Sequence, residues 1–503
     1  MHDQSEPLKA IVIGAGVAGL ASAIRLAIMG FQVTVFEKNS YPGGKLSHFE
    51  KNGFHFDAGP SLFTQPQLIE ELFALANEPI DAYFQYSKMN SSCKYFYEDG
   101  IVINAYSDVH AFAQELQEKV GEDAKKVTAY LQASEKVFTH IGNIFLNHSL
   151  HLLKTLFKVN VKQAIAATKP ALLFQSLHQL NQSSFNKSHT VQLFNRYATY
   201  NGSNPYKAPG MLSLIPHLEH NIGTYYPKGG MIAITNALYL LAIKKGVTFQ
   251  FNTPVESIIQ NKHQAKGVVV QNKNHFADVI VSNMDVYFTY KQLLRQPLEA
   301  TKILKQERSS SAFIFYWGMN TTFPNLQLHN IFFTKNYEAE FQALFNSKTL
   351  YNDPTVYVNI TSKCEPGLQA PNGKENWFVM VNAPANCGQN WQQYQQQYRS
   401  AIIQKLSKLL ATDIEACIEV EEILTPVTIE SKTASYMGSL YGTSSNSKMA
   451  AFLRHPNFSK KILHLFFVGG SVHPGGGIPL CLQSAKIMSE IVAHQLQKKT
   501  HKH

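Results

Sequence analysis

The stretch that decides the fold runs from Ala10 to Glu37, AIVIGAGVAGLASAIRLAIMGFQVTVFE. Ala10 to Ile13 is a short apolar run with β-branched residues, which reads as a buried strand, and Gly14-Ala15-Gly16 breaks it. Leu20, Ile24 and Leu26 follow at helical spacing, and Gly30 ends that helix. Phe31 to Phe36 is a second strand, with Val33 and Val35 alternating, that closes on Glu37. Strand, glycine turn, helix, strand and acid in this order make a dinucleotide-binding unit. Gly14 permits the tight turn, Gly16 lets the backbone approach a pyrophosphate, and Gly19 lets the helix pack close to the strand. Ala15, Val17 and Ala18 complete the turn and the helix start, whose free N–H groups and positive dipole end face the phosphates. Glu37 is suited to accept hydrogen bonds from a ribose diol and to repel a 2′-phosphate, and Lys38 follows it.

Two segments downstream narrow the dinucleotide. Pro42-Gly43-Gly44-Lys45 comes directly after the acid, and Phe56-Asp57-Ala58-Gly59-Pro60-Ser61 soon after. This arrangement resembles the large FAD-binding group of the amine oxidases and carotenoid desaturases, and the resemblance implies FAD. It adds Gly43, Gly44, Lys45, Gly59, Pro60 and Ser61 to the cofactor site. Where that group usually carries Arg this chain has Lys45, which keeps the charge but loses the bidentate fork. Near the other end, Phe467-Val468-Gly469-Gly470-Ser471-Val472-His473-Pro474-Gly475-Gly476-Gly477-Ile478-Pro479-Leu480 resembles the desaturases' second FAD motif. It implicates Gly469, Gly470, Gly477, Ile478 and Pro479. A glycine turn leading into a helix, with Pro479 near its start, aims a positive dipole end at the isoalloxazine. Cys481 beside the turn reads as packing, and His473 as a structural hydrogen-bonding group more than a catalytic base.

The resemblance runs from about residue 9 to 495. Gly223-Thr224-Tyr225-Tyr226-Pro227-Lys228-Gly229-Gly230-Met231, Val255 (a position that contacts adenine in such proteins) and Ala277-Asp278-Val279-Ile280-Val281-Ser282-Asn283-Met284-Asp285 are similar to the phytoene desaturase family of bacterial carotenoid enzymes. The match is dense at the flavin segments and sparse in the inserted helices. It implies an α/β fold: a Rossmann-like FAD-binding domain of the glutathione-reductase/amine-oxidase type, with an inserted α+β substrate domain carrying a mostly antiparallel sheet and basic apolar helices. The expected division is 1–85, 222–300 and 455–503 for the first, and 86–221 and 301–454 for the second. Longer strands of the second sheet are expected at 311–318, 355–360 and 377–383, and mostly helix from about 105 to 218.

The implied chemistry is desaturation of a long polyisoprenoid, with hydride leaving to flavin and the neighbouring carbon losing a proton. The cation between these events is spread over the conjugated chain, so positioning carries the catalysis and no acid or base residue is nominated. The chain resembles more closely the desaturases that act at C3–C4 of 1-hydroxycarotenoid end groups, and this resemblance implies 3,4-desaturation, with a multi-step phytoene-type desaturase as the alternative. Polyene saturases, isomerases and protoporphyrinogen oxidases stand further off. So does a non-catalytic prenyl-binding escort protein, against which the intact glycine fingerprint speaks. No second GxGxxG occurs mid-chain, so oxygen or a quinone, rather than a nicotinamide, is the expected electron acceptor.

The totals bound these readings. With 503 residues, two domains or a large insertion are expected. The formal charge is +10, from 45 Lys+Arg against 35 Asp+Glu, yet no nucleic-acid motif is present, so no nucleic acid partner is expected. Five scattered cysteines without a CxxC pair argue against a disulfide framework or a metal site. MHDQSEPLKA lacks an apolar signal core, and no apolar stretch reaches the roughly 20 residues that span a bilayer. Between Lys136 and Leu218 there is no Asp or Glu, while Lys154, Lys158, Lys162, Lys169, Lys187, Arg196 and Lys207 are interleaved with Phe145, Leu146, Leu153, Leu156 and Phe157. Apolar helices with cations suit contact with an anionic membrane surface, from which a dissolved carotenoid could enter. The expected location is cytoplasmic, at the inner face of the cell membrane.

Overall fold

The computed structural model describes residues 6–152, 170–447 and 454–500. Its nucleotide-binding layer is a five-stranded parallel sheet in the order Leu465–Phe467, Val279–Ser282, Lys9–Ile13, Gln32–Phe36, Thr248–Gln250. Alternation along Lys9–Ile13 separates its two faces. Ala10 and Val12 pack with the helices Val17–Ile28, Ile232–Lys244 and Ile478–Thr500. Ile11 and Ile13 pack on the other side, against Ile258 and Val268 of an antiparallel three-stranded meander. Burial of both faces explains why these strands read as unbroken apolar runs.

A seven-stranded sheet stands beside it, in the order Ile418–Leu424, Ser311–Met319, Glu375–Ala383, Val356–Asn359, His329–Phe332, Ser91–Phe96, Val102–Tyr106. All its pairs are antiparallel except His329–Phe332 with Ser91–Phe96. Phe313, Phe315 and Trp317 face the helix Trp391–Leu410, while Ile314 and Tyr316 face Phe54 and Phe56. The three long strands expected from sequence are present here.

Three features were not anticipated. Strands Ser91–Phe96 and Val102–Tyr106 extend the sheet into the first insertion, and helix begins only at Val109, capped by the Asp108 carboxylate. The hairpin of His48–Lys51 and Phe54–Asp57 is held because fully buried Phe54 and Phe56 close one face of the larger sheet. The glycine-punctuated turn 223–230 also contains a short strand, Tyr225–Pro227, paired with Tyr86–Lys88. Of the acid-free segment, Leu153, Lys154, Leu156, Phe157, Lys158, Lys162 and Lys169 lie outside the described residues. Among the described residues no helix is long and apolar enough to cross a membrane.

Candidate active site

Both sheets contribute to one cavity of about 1120 Å³. It exceeds the roughly 300–1,000 Å³ of common small-molecule sites. Its polar end is built from the first two strands. Gly14 turns at φ +94° and donates its N–H to the Phe36 carbonyl at 2.8 Å. A Cβ on Gly19 would come 2.1 Å from the Gly14 carbonyl oxygen, so the close helix–strand approach requires glycine. Gly16 caps the helix Val17–Ile28 without a side-chain hydrogen bond, which leaves the first amides of that helix free for an anion. The buried Glu37 carboxylate accepts from Ala15 N–H at 2.7 Å and Asn39 N–H at 2.9 Å. That uses two of its roughly four acceptor positions.

Of the residues nominated from sequence, all but Ala15 and Gly19 line this cavity: the first glycine turn, Glu37 and Lys38, Gly43 to Lys45, Gly59 to Ser61, Val255, and the C-terminal set from Gly469 to Pro479. Ala15 is covered and spends its amide on Glu37; Gly19 acts in packing. Lys45 Nζ is taken up by the Leu440 carbonyl at 2.8 Å and the Ser439 carbonyl at 3.4 Å, and burial holds its pKa below the usual lysine value.

His473 does not line the cavity. Its Nε2 pairs with the His148 carbonyl at 2.9 Å, and burial pushes its pKa down to about 4, so the ring is neutral at physiological pH. Cys481 lines the cavity as a free thiol that burial pushes up to about 11, an inert packing group. Among the described residues no cluster of His, Cys, Asp or Glu could hold a metal ion.

Sequence reasoning missed the importance of Asn283. Its side-chain amide donates to the Gly14 carbonyl at 3.4 Å. The same side chain packs so closely on Gly16 and Gly469 that a Cβ at either would lie 2.7 Å from it. It therefore joins the two glycine turns. No periodicity marks such a residue, because it sits one position past the end of the strand Val279–Ser282.

Beyond the glycine turns the lining becomes apolar, with Phe138, Phe145, Leu146, Leu212, Ile215 and Leu218 among it. One space thus joins the glycine turns to these apolar side chains.

The model of the family described as flavin containing amine oxidoreductase matches residues 17–493. The chain belongs to this family.

Within this flavin amine oxidoreductase family, the chain is 50% identical over 484 residues to a 1-hydroxycarotenoid 3,4-desaturase of Flavobacterium sp. (strain P99-3), covering 96% of this chain and 99% of the relative. It is 32% identical to a 4,4'-diapolycopene oxygenase of Methylomonas sp, covering 97% and 99%. It is 31% identical to a 4,4'-diaponeurosporene oxygenase of Staphylococcus aureus (strain MSSA476), covering 95% and 97%. Among solved structures, an oxidoreductase from Methanosarcina mazei superposes with TM-score 0.61 at 15% identity, covering 97% of this chain and 100% of the other. A putrescine oxidase variant gives TM-score 0.64 at 11% identity, covering 97% and 99%. These distant structures share the fold.

The cofactor of this flavin amine oxidoreductase is FAD. The residues present fit it: an uncapped helix start, glycines too closely packed to carry a side chain, and a buried carboxylate with acceptor capacity to spare.

Proposed function

We propose that this chain is an FAD-dependent carotenoid desaturase that introduces the 3,4 double bond into a 1-hydroxycarotenoid end group. The observation that carries the reading is the single cavity whose glycine-turn end suits a dinucleotide and whose other end is apolar. The identity of 50% over nearly the full length to a 1-hydroxycarotenoid 3,4-desaturase supports the choice of end group.

FAD, when bound, supplies the two-electron acceptor for the departing hydride. We assign its diphosphate to the turn of residues 14–19, through the amides of Gly16, Val17 and Ala18, its ribose to Glu37, its adenine to Val255, and its ring system to Gly43 to Lys45, Gly59 to Ser61 and Gly469 to Pro479. Residues 1–85, 222–300 and 455–503 would form the cofactor-binding part, and 86–221 with 301–454 the substrate part. The chain's own contribution is orientation: an apolar chamber fixes a stiff polyene in one pose and keeps water from the reacting carbons. Neutral His473 lies off the cavity and takes no part. We also infer that the acid-free segment seats the protein on an anionic membrane surface, and that oxygen or a quinone receives the electrons.

Feeding the purified, FAD-loaded protein a 1-hydroxycarotenoid and, separately, phytoene tests the assignment. A longer chromophore from the first and none from the second is expected. Conversion of phytoene alone would favour the multi-step reading, and an oxygenated product would align the chain with its oxygenase relatives.

A further inference from the structure

One wall of the cavity carries chemistry that a pure hydrocarbon does not need. Ser61 Oγ lies 2.8 Å from the Tyr357 hydroxyl, which lies 2.8 Å from His329 Nδ1. All three residues line the cavity, and Ser61 and Tyr357 are only half-buried. Beside them on the same wall, Glu219 accepts both hydrogen bonds of buried Arg196 at 2.9 Å and another from Tyr200. Burying polar groups costs free energy unless each is satisfied or used.

The direction of the first network can be worked out. Asn359 Nδ2 donates to the Leu328 carbonyl at 3.1 Å, which fixes its amide orientation, and the same nitrogen lies 3.1 Å from His329 Nδ1. With this contact Nδ1 takes the acceptor role, and the neutral ring then carries its proton on Nε2, a buried atom without a hydrogen-bond partner among the described residues. The one Tyr357 proton goes to Nδ1. The Ser61–Tyr357 bond must then use the proton of Ser61, and what Ser61 Oγ has left is acceptor capacity beside the cavity.

A substrate's end-group hydroxyl has to come close to the redox centre. In a 1-hydroxylated substrate the carbinol carbon is one methylene away from the bond that reacts at carbons 3 and 4. Whatever holds the hydroxyl must adjoin the redox centre, and Ser61 directly follows Gly59-Pro60 of the assigned cofactor segment. We propose that Ser61 Oγ, held by Tyr357 and His329, accepts the hydrogen bond of the substrate's terminal hydroxyl and so selects hydroxylated over hydrocarbon end groups. This gives the side chain of Ser61 to the substrate and leaves its backbone to the cofactor; Tyr357 and His329 are positioning residues. The inference rests on the desaturase reading above.

The test compares two substrates, a 1-hydroxycarotenoid and the same polyene without the hydroxyl, on FAD-loaded wild type, Ser61→Ala, Ser61→Thr and Tyr357→Phe. Flavin content, read from absorbance, and binding of each polyene, read from its spectral shift, are measured beside kcat and KM. Loss of one hydrogen bond predicts that Ser61→Ala lowers kcat/KM and affinity for the hydroxylated polyene by about tenfold. The ratio between the two substrates is the readout: Ser61→Ala is expected to shrink the preference for the hydroxylated polyene, Ser61→Thr to restore it, and Tyr357→Phe to weaken it. If Ser61→Ala and Tyr357→Phe both retain the wild-type preference, or lose both substrates equally with flavin intact, the proposal is overturned while the desaturase reading stands. A wild type that does not prefer the hydroxylated substrate sinks the proposal together with the choice of end group.

Discussion

Glu37 Oε2 accepts the Ala15 backbone N–H at 2.7 Å, so the acid at the end of the second strand grips the glycine turn at the end of the first. One carboxylate therefore shapes the glycine loop, and in the proposed cofactor site it also holds the ribose. Glu37→Ala removes both, and charged hydrogen bonds of this kind contribute about 1.5–3 kcal/mol. Fluorescence-quenching titration of the apoprotein with FAD is expected to give a Kd roughly 10–100-fold weaker than wild type. An unchanged Kd would remove Glu37 from the site.

Gly19→Ala tests the packing that makes the turn possible. Its new Cβ would lie 2.1 Å from the Gly14 carbonyl oxygen, so helix and strand must separate. Overpacking of this type costs about 1–3 kcal/mol. Thermal unfolding is expected to show a lower Tm together with weaker flavin retention.

Stability is expected to fall in acid. Burial pushes His220, His329, His455 and His473 down to about 4. Unfolded histidines titrate near 6.5. Between those values the unfolded chain takes up protons that the folded chain refuses, so stability from these groups is present above about 6.5 and lost toward 4. Buried Asp57 and Glu340, raised to about 6 and about 7, act in the opposite sense. Four histidines outweigh two carboxyls, and the folding midpoint in urea should drop as pH goes from 6.5 to 4.5. His473→Asn should flatten that limb, which urea titrations at several pH values would reveal.

Membrane seating has its own check. Flotation of the protein with vesicles containing anionic lipid is expected to succeed at physiological ionic strength and to weaken as salt rises. Protein that stays at the bottom of the gradient with such vesicles would contradict it.

The site was legible where its signal is local. Gly14, Gly16, Gly19, Gly30 and Glu37 follow each other within one strand–helix–strand unit, and each spacing has a mechanical cause. The long strands Ser311–Met319 and Glu375–Ala383 were legible because aromatic and β-branched residues fill them. What stayed hidden depends on distant partners. Ser91–Phe96 pairs with nearby Val102–Tyr106, but its place in the seven-stranded sheet comes from parallel pairing with His329–Phe332, more than two hundred residues away. The hairpin His48–Lys51 with Phe54–Asp57 is different: it turns at Asn52-Gly53, both at positive φ, a local signal that the sequence carries and sequence reasoning missed. Asn283 and Tyr357 acquire roles only when the chain brings Gly469 and Ser61 beside them.

The central claim, that this chain uses FAD to desaturate a hydroxylated polyene, is tested most directly by an anaerobic single turnover followed in the visible spectrum. Mixing FAD-loaded protein with a stoichiometric 1-hydroxycarotenoid should bleach the flavin band as the polyene spectrum shifts to the red, one double bond for each flavin. A polyene spectrum that stays fixed while the flavin remains oxidised would contradict the account.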